Sequence, residues 1–144
     1  KPIKELLVLR DSDSALLGSF VNMAGKVEDM IQSGKPIESL RTVEEFVRDD
    51  VSSDYLAREG RRLDSKDEAA WYTMWSVGLG LLKVVAPIVP NLSEEFYQQY
   101  FRDREGSPSV HTVPWPEPFS TIKDRPHAHA KVEKVEKKPK PLRK

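Results

Sequence analysis

Apolar residues return every three or four positions in four stretches of the chain, the interval that places them on one face of an α-helix. The first stretch opens near Asp13, whose carboxylate is placed to accept from free backbone N–H groups, and carries Leu16, Phe20, Ala24, Val27 and Ile31. Gly34 and Pro36 end it. The second begins at about Ile37, with Leu40, Val43, Val47, Val51 and Tyr55 in line and Phe46 beside them. Glu44, Glu45, Arg48, Asp49 and Asp54 hold its opposite face, so one side belongs in a core and the other in water.

The third stretch opens on Ser65-Lys66-Asp67-Glu68, a capping box in which the serine hydroxyl and the glutamate carboxylate satisfy backbone donors reciprocally. Such a cap stabilises by about 1 kcal/mol. Ala70, Met74, Val77, Leu81 and Val84 form the stripe, thickened by Trp71, Tyr72 and Trp75. Pro87 stops this helix, having no N–H to donate and biasing Ala86 away from helical geometry. Pro90-Asn91 leads into a fourth, capped by Asn91 or Ser93, with Glu94 and Glu95 complementing the positive end of the helix dipole. Phe96, Tyr97, Tyr100 and Phe101 supply its apolar side, and it fades at Gly106-Ser107-Pro108.

Outside these four stretches the pattern changes. Leu6 to Leu9 reads equally as a short strand or as an apolar lead-in. From Ser109 to Phe119 three prolines keep the chain extended, with Val110, Val113 and Trp115 available to pack back on the helices. Thr121 to Lys144 holds only Ile122, Val132, Val135 and Leu142 as sizeable apolar residues. That is too little burial to offset ordering entropy, so a disordered or conditionally ordered tail is expected. The prediction is an all-α, four-helix antiparallel bundle over residues 13–120, a lead-in at 1–12 and a basic tail at 121–144.

At 144 residues, 38% hydrophobic and 32% charged, the chain has room for one domain with a real core and no second. It contains no cysteine, which removes disulfides, thiolate nucleophiles and cysteine zinc sites from consideration. The longest apolar run, Val77 to Val89, is broken by Gly78, Gly80, Lys83 and Pro87 and is too short to span a bilayer. There is no signal peptide at the start, and opening on Lys1 rather than methionine predicts a fragment of a longer protein. The formal charge of zero conceals an asymmetry. Residues 1–120 carry 14 basic and 20 acidic side chains, and residues 121–144 carry 9 and 3. A basic tail hangs on an acidic body.

No convergent catalytic set emerges. The glycines are scattered, and Gly78-Leu79-Gly80 lies in a helical pattern, where close helix packing explains it better than a phosphate loop. His127 and His129 alternate with alanine without a carboxylate or cysteine pattern beside them, and His111 stands apart. Asp49-Asp50 and Glu94-Glu95 point about 100° apart on a helix and make no carboxylate dyad. Neither a metal site nor a catalytic residue is expected in this chain.

Two ordered segments carry a family resemblance. Leu81-Leu82-Lys83-Val84-Val85-Ala86-Pro87-Ile88-Val89-Pro90-Asn91-Leu92-Ser93-Glu94-Glu95-Phe96-Tyr97, followed by Ser109-Val110-His111-Thr112-Val113-Pro114-Trp115-Pro116, resembles the helix, double-proline turn, acidic helix and Ser-Val-His-x-x-x-Trp-Pro stretch of class I synthetases. These are the isoleucyl-, valyl- and leucyl-tRNA synthetases, and the likeness is to their anticodon-binding bundle. Leu40 to Val47 with Asp49-Asp50-Val51-Ser52 is similar to the second helix of the isoleucyl enzymes, which ranks isoleucyl first and valyl or leucyl next. The likeness covers roughly residues 13 to 118. Ala15 and Ser19 replace a family aromatic and arginine, and Ser52-Ser53-Asp54-Tyr55 replaces a more basic run. The HIGH-type and KMSKS-type ATP motifs are missing, consistent with a fragment lying outside the nucleotide-binding domain.

What the resemblance implies is recognition of the tRNA anticodon stem-loop by a non-catalytic, cytoplasmic fragment of an ATP-dependent aminoacyl-tRNA ligase. No cofactor is expected in the fragment; ATP and Mg2+ belong to the parent, whose catalytic domain is the expected partner in cis. Such recognition needs cations for phosphates and aromatics or polar groups for unstacked bases. Arg58, Arg61 and Arg62 near the end of the second helix are the first candidates, then Lys66. Trp71, Tyr72 and Trp75 either stack on bases, at about 1–3 kcal/mol each, or belong to the core. Lys131, Lys134, Lys137, Lys138, Lys140, Arg143 and Lys144 in the tail offer a non-specific footprint for RNA. The alternative function is a helical protein-interaction or scaffold module with a basic docking tail.

Overall fold

The computed structural model describes residues 7–116 and Phe119, so the predicted basic tail lies outside the described residues. Every regular element among them is helical. α1 spans Asp11–Gln32, α2 Pro36–Glu45, and a π-helical segment Phe46–Leu56 continues without a break into α3 (Ala57–Asp64). α4 spans Glu68–Val85, α5 Pro90–Tyr100 and the one-turn α6 Arg102–Glu105. The α2–π–α3 run is one rod, so the predicted count of four rods is met. Connections of three or four residues turn the chain back between successive rods.

Two of these turns are Schellman-type stops. At the end of α1, Gly34 adopts φ +75° and the Lys35 N–H donates to the Met30 carbonyl at 2.8 Å. At the end of α3, Lys66 takes the same left-handed role at φ +59°, and the Asp67 N–H donates to the Arg62 carbonyl at 2.9 Å. A β-carbon is crowded there, so this lysine is held in a conformation that favours glycine.

Three predicted caps are corrected. Asp13 sits in the third position of α1, not at its cap, and accepts the Arg10 N–H from inside the first turn. The cap of α4 is Asp67, which accepts from the Ala70 N–H at 2.9 Å, while the Ser65 hydroxyl donates back to the Arg62 carbonyl. Ser65 already closes α3, and the left-handed Lys66 displaces the helix start by two residues. α5 starts at Pro90 with no side-chain cap at all, and Ser93 is buried. Proline at the first position needs no N–H partner, so this start holds without Asn91 or Ser93.

The core is two clusters sharing α4 as a wall. Leu16, Leu17, Phe20, Met23 and Val27 of α1 meet Phe46, Val51 and Tyr55 of the π segment and Val77 and Val84 of α4, with Phe119 closing the end. On the other side of α4, Leu79 meets Tyr97, Val110 and Val113. Packing on two sides explains the small residues of α4. A β-carbon on Gly80 would lie 2.6 Å from the Phe20 ring and 2.8 Å from the Phe119 ring, and those rings stack at 4.2 Å. Phe119 was not singled out in the sequence, because it lies outside any helical pattern.

Two predicted stripes shift. In the second rod, Phe46, Val51 and Tyr55 are buried, while Val47 is 37% exposed. The π segment bonds each N–H five residues back rather than four, so its inward positions fall at wider intervals than an α-helix gives. Of the apolar residues of α5 only Tyr97 is buried, and Phe101, beyond its end, is half-buried; Leu92, Phe96 and Tyr100 are exposed. α5 packs mainly on α4 and α6 among the helices, so only a narrow face is covered.

Candidate nucleic-acid interface

The four candidate cations divide sharply. Arg58, Arg61 and Lys66 are exposed; Arg62, at 9% exposure, is turned inward. Its two terminal nitrogens donate to both oxygens of Asp13, each at 2.9 Å, and also to Glu59 at 3.1 Å and Asp67 at 2.9 Å. All four terminal N–H groups are engaged by carboxylates and the remaining Nε–H is buried, so the guanidinium has none within reach of a phosphate. Arg62 is therefore corrected from an RNA contact to an internal clamp. The Asp13 Oδ1 also accepts from the Tyr55 hydroxyl at 2.6 Å. Burial by itself would raise the Asp13 carboxyl, but the bonds from Arg62, Tyr55 and Arg10 hold it below the ordinary carboxylate value. The same bond to Asp13 drives Arg62 up, and burial with the Asp13 bond drives Tyr55 up.

This clamp fixes the corner where α3 turns into α4. It joins the first turn of α1, the π segment, α3 and the Asp67 cap of α4 in one hydrogen-bonded unit. On its outside, Arg58 forks onto Asp54 one turn back, with Nε to Oδ1 at 2.8 Å and Nη2 to Oδ2 at 2.9 Å. An exposed pair of this kind is worth about 0.3–0.5 kcal/mol, little resistance to exchange for a phosphate. Arg61 lies one turn further on, and Lys66 projects from the turn itself. Trp71 is 48% exposed, and its Nε1–H donates to the Leu63 carbonyl at 3.1 Å, which tethers the indole to the same corner. Trp75 is not equivalent: its indole N–H donates to Glu105, Phe101 lies 4.5 Å away and the Arg104 guanidinium covers its ring. Tyr72 is half-buried.

The opposite charge dominates the neighbouring π segment. Burial first, then the adjacent Asp49 and Asp54 charges, push the Asp50 carboxyl up. Asp49, Asp50 and Asp54 together therefore disfavour a polyanion at this face. The tail cations Lys131, Lys134, Lys137, Lys138, Lys140, Arg143 and Lys144, with His127 and His129, lie outside the described residues.

At the other end of α4 the two segments that carry the family resemblance are bonded to each other. Glu94 accepts from the Ser109 hydroxyl at 2.8 Å and the Val110 N–H at 3.1 Å, and Tyr97 donates to the Ser107 carbonyl at 2.8 Å. Lys83 donates to the carbonyls of Val110 and Val113. The acidic helix thus recruits the returning segment, which forms a turn over residues 109–112 rather than the extended run expected from its prolines, and the buried Val110 and Val113 seal it against Leu79.

The sequence model for the anticodon-binding domain of tRNA ligases matches residues 13–140. The chain belongs to this anticodon-binding domain family. It is 34% identical over 125 residues to an isoleucine–tRNA ligase of Pyrococcus furiosus, and the match covers 83% of this chain and 12% of that relative. An isoleucine–tRNA ligase of Thermococcus kodakarensis is 35% identical over 118 residues, 78% of this chain and 11% of the relative. A valine–tRNA ligase of Methanopyrus kandleri is 30% identical over 117 residues, covering 76% and 12%. The domain thus spans about an eighth of the length of these curated relatives. No solved structure matches. Among the described residues of this anticodon-binding domain, no helix is long and apolar enough to cross a membrane.

The sequence reading missed the clamp. The signal available was Asp13 facing the same side of its helix as Leu16, Leu17 and Phe20, a charged residue in an apolar stripe that must find a partner if buried.

Proposed function

We propose that the anticodon-binding domain holds the anticodon stem-loop of a tRNA through the α3–α4 corner, on behalf of an isoleucine-specific ligase. In this reading the catalytic domain, with its ATP and Mg2+, lies elsewhere in the parent protein, which works in the cytoplasm. Family membership supports the ligand class. The observation that carries the location is the assembly of Arg58, Arg61, Lys66 and the half-exposed Trp71 at one rigid corner, beside an acidic face that repels RNA. Cations meet phosphates, and an indole accepts an unstacked loop base. The scaffold alternative is not favoured, because membership in the anticodon-binding family supports a tRNA ligand.

The test is binding of isoleucine and valine anticodon stem-loops, and of stem-loops with altered anticodons, to the 144-residue chain. Trp71→Ala is expected to weaken the cognate stem-loop about tenfold or more, the loss of one base stack. Arg61→Ala and Lys66→Ala should each weaken it and flatten the dependence of log K on log salt by about 0.7–0.9 per phosphate contact. Equal affinity for every anticodon, unchanged by all three substitutions, would overturn the reading.

A further inference from the structure

The far end of α4 lies about 18 Å along the helix from Trp71 by the rise of twelve residues. Here the Pro87–Pro90 corner and the returning segment enclose an open groove of about 490 Å3, lined by Lys83, Ala86, Pro87, Pro90, Val110, His111 and Trp115. That volume lies within the range of about 300–1,000 Å3 typical of small-ligand pockets.

Lys83 and His111 line this groove, and Glu94 interacts electrostatically with His111. Lys83 is half-buried, and its ammonium is solvated by two backbone carbonyls and by the Trp115 ring, whose centroid is 5.8 Å away. Among the described residues no carboxylate pairs with it. Burial pulls its pKa below the ordinary lysine value, the mark of a cation that lacks a counter-charge. Two of its three N–H donors serve Val110 and Val113, leaving one for a ligand. His111 stands exposed at the rim as a second nitrogen donor. The remaining wall is Ala86, Pro87, Pro90, Val110 and the Trp115 indole, apolar and with no side chain to read a base edge.

We propose that this groove takes one unpaired nucleotide of RNA, with its phosphate on Lys83 and His111 and its base packed against Pro87, Pro90 and Trp115. The inference rests on the tRNA-binding reading above, because RNA is the partner class it assumes. The groove and the α3–α4 corner lie toward opposite ends of one helix, α4. The contact is sequence-tolerant, since stacking and a phosphate discriminate little among bases.

The test follows the indole N–H resonance of Trp115 in the 144-residue chain, assigned with Trp115→Phe. The titrants are a uridine trinucleotide, its uncharged methylphosphonate analogue, inorganic phosphate and a proline-rich peptide. A saturable shift with the trinucleotide, at least threefold weaker binding in His111→Ala, and little or no shift with the uncharged analogue are expected. His111 is exposed, so that variant keeps the fold, which a thermal melt checks. Arg61→Ala should leave the Trp115 response intact. No shift, an equal shift with the uncharged analogue, or a shift with the peptide alone would each refute the site. If the stem-loop binds and responds to Arg61→Ala while Trp115 stays silent, the groove fails and the corner stands. If no stem-loop binds the wild type, the functional reading fails first.

Discussion

Arg62 reaches across 49 residues of sequence to grip Asp13 in a two-pronged ion pair, each prong 2.9 Å long, with the aspartate fully buried. Desolvating two charges is expensive, and bonds from Tyr55 and the Arg10 N–H to Asp13 and from Arg62 to Glu59 and Asp67 offset that cost, leaving the buried Arg62 Nε–H without a partner. Its yield is positional, since it locks the corner on which the exposed cations stand.

Removing one partner leaves the other buried and unpaired. Asp13→Ala or Arg62→Ala is therefore expected to lower stability by about 3–5 kcal/mol, read as the urea midpoint. Replacing both with apolar side chains, Asp13→Leu with Arg62→Met, should cost clearly less than the sum of the singles. Additive losses in this double-mutant cycle would show that the two residues are not coupled.

Acid should loosen the same clamp. The Asp13 carboxyl lies below its ordinary value of 3.8 despite burial, and Asp67 is lowered by the Ala70 N–H and by Arg62. A depressed carboxylate contributes stability that is full above the unfolded value and lost as pH falls through the folded one. The urea midpoint should hold above pH 5 and drop below about pH 4, more steeply in the wild type than in Asp13→Asn. Equal slopes would place the acid sensitivity elsewhere.

Glycine substitutions on α1 and α4 should diverge in sign. Nothing lies within 4 Å of a β-carbon added to Gly25, so Gly25→Ala gains helix propensity and is expected to stabilise by about 0.5–1 kcal/mol. At Gly80 the same methyl meets two packed rings, and overpacking of about 1–3 kcal/mol outweighs that gain. Thermal midpoints that rise for both would mean the Phe20–Phe119 stack gives way freely.

The π segment makes its own register testable. Val51→Ser, at a position 6% exposed, should cost about 1–3 kcal/mol by exposing the core to an unpaired hydroxyl and a cavity. Val47→Ser, on the outward face, should change stability by no more than about 0.5 kcal/mol. An α-helical register would bring the two losses together.

The sequence by itself determined the number of rods and their order, because apolar spacing, glycines and prolines are local properties that each segment expresses regardless of its neighbours. It also carried the family, through two segments that turn out to be bonded across Glu94, Lys83 and Tyr97. Tertiary structure alone decided which arginine faces water. Arg58, Arg61 and Arg62 look alike in a row, yet a helical step of 100° turns Arg62 toward Asp13 while Arg61 stays outside. It also decided the wider register of the π segment, which moved Val47 outward, and the use of α4 as a wall between two cores, which no single helix pattern encodes. Burial of a charge depends on which distant residue arrives to meet it, and that is settled only when the rods pack.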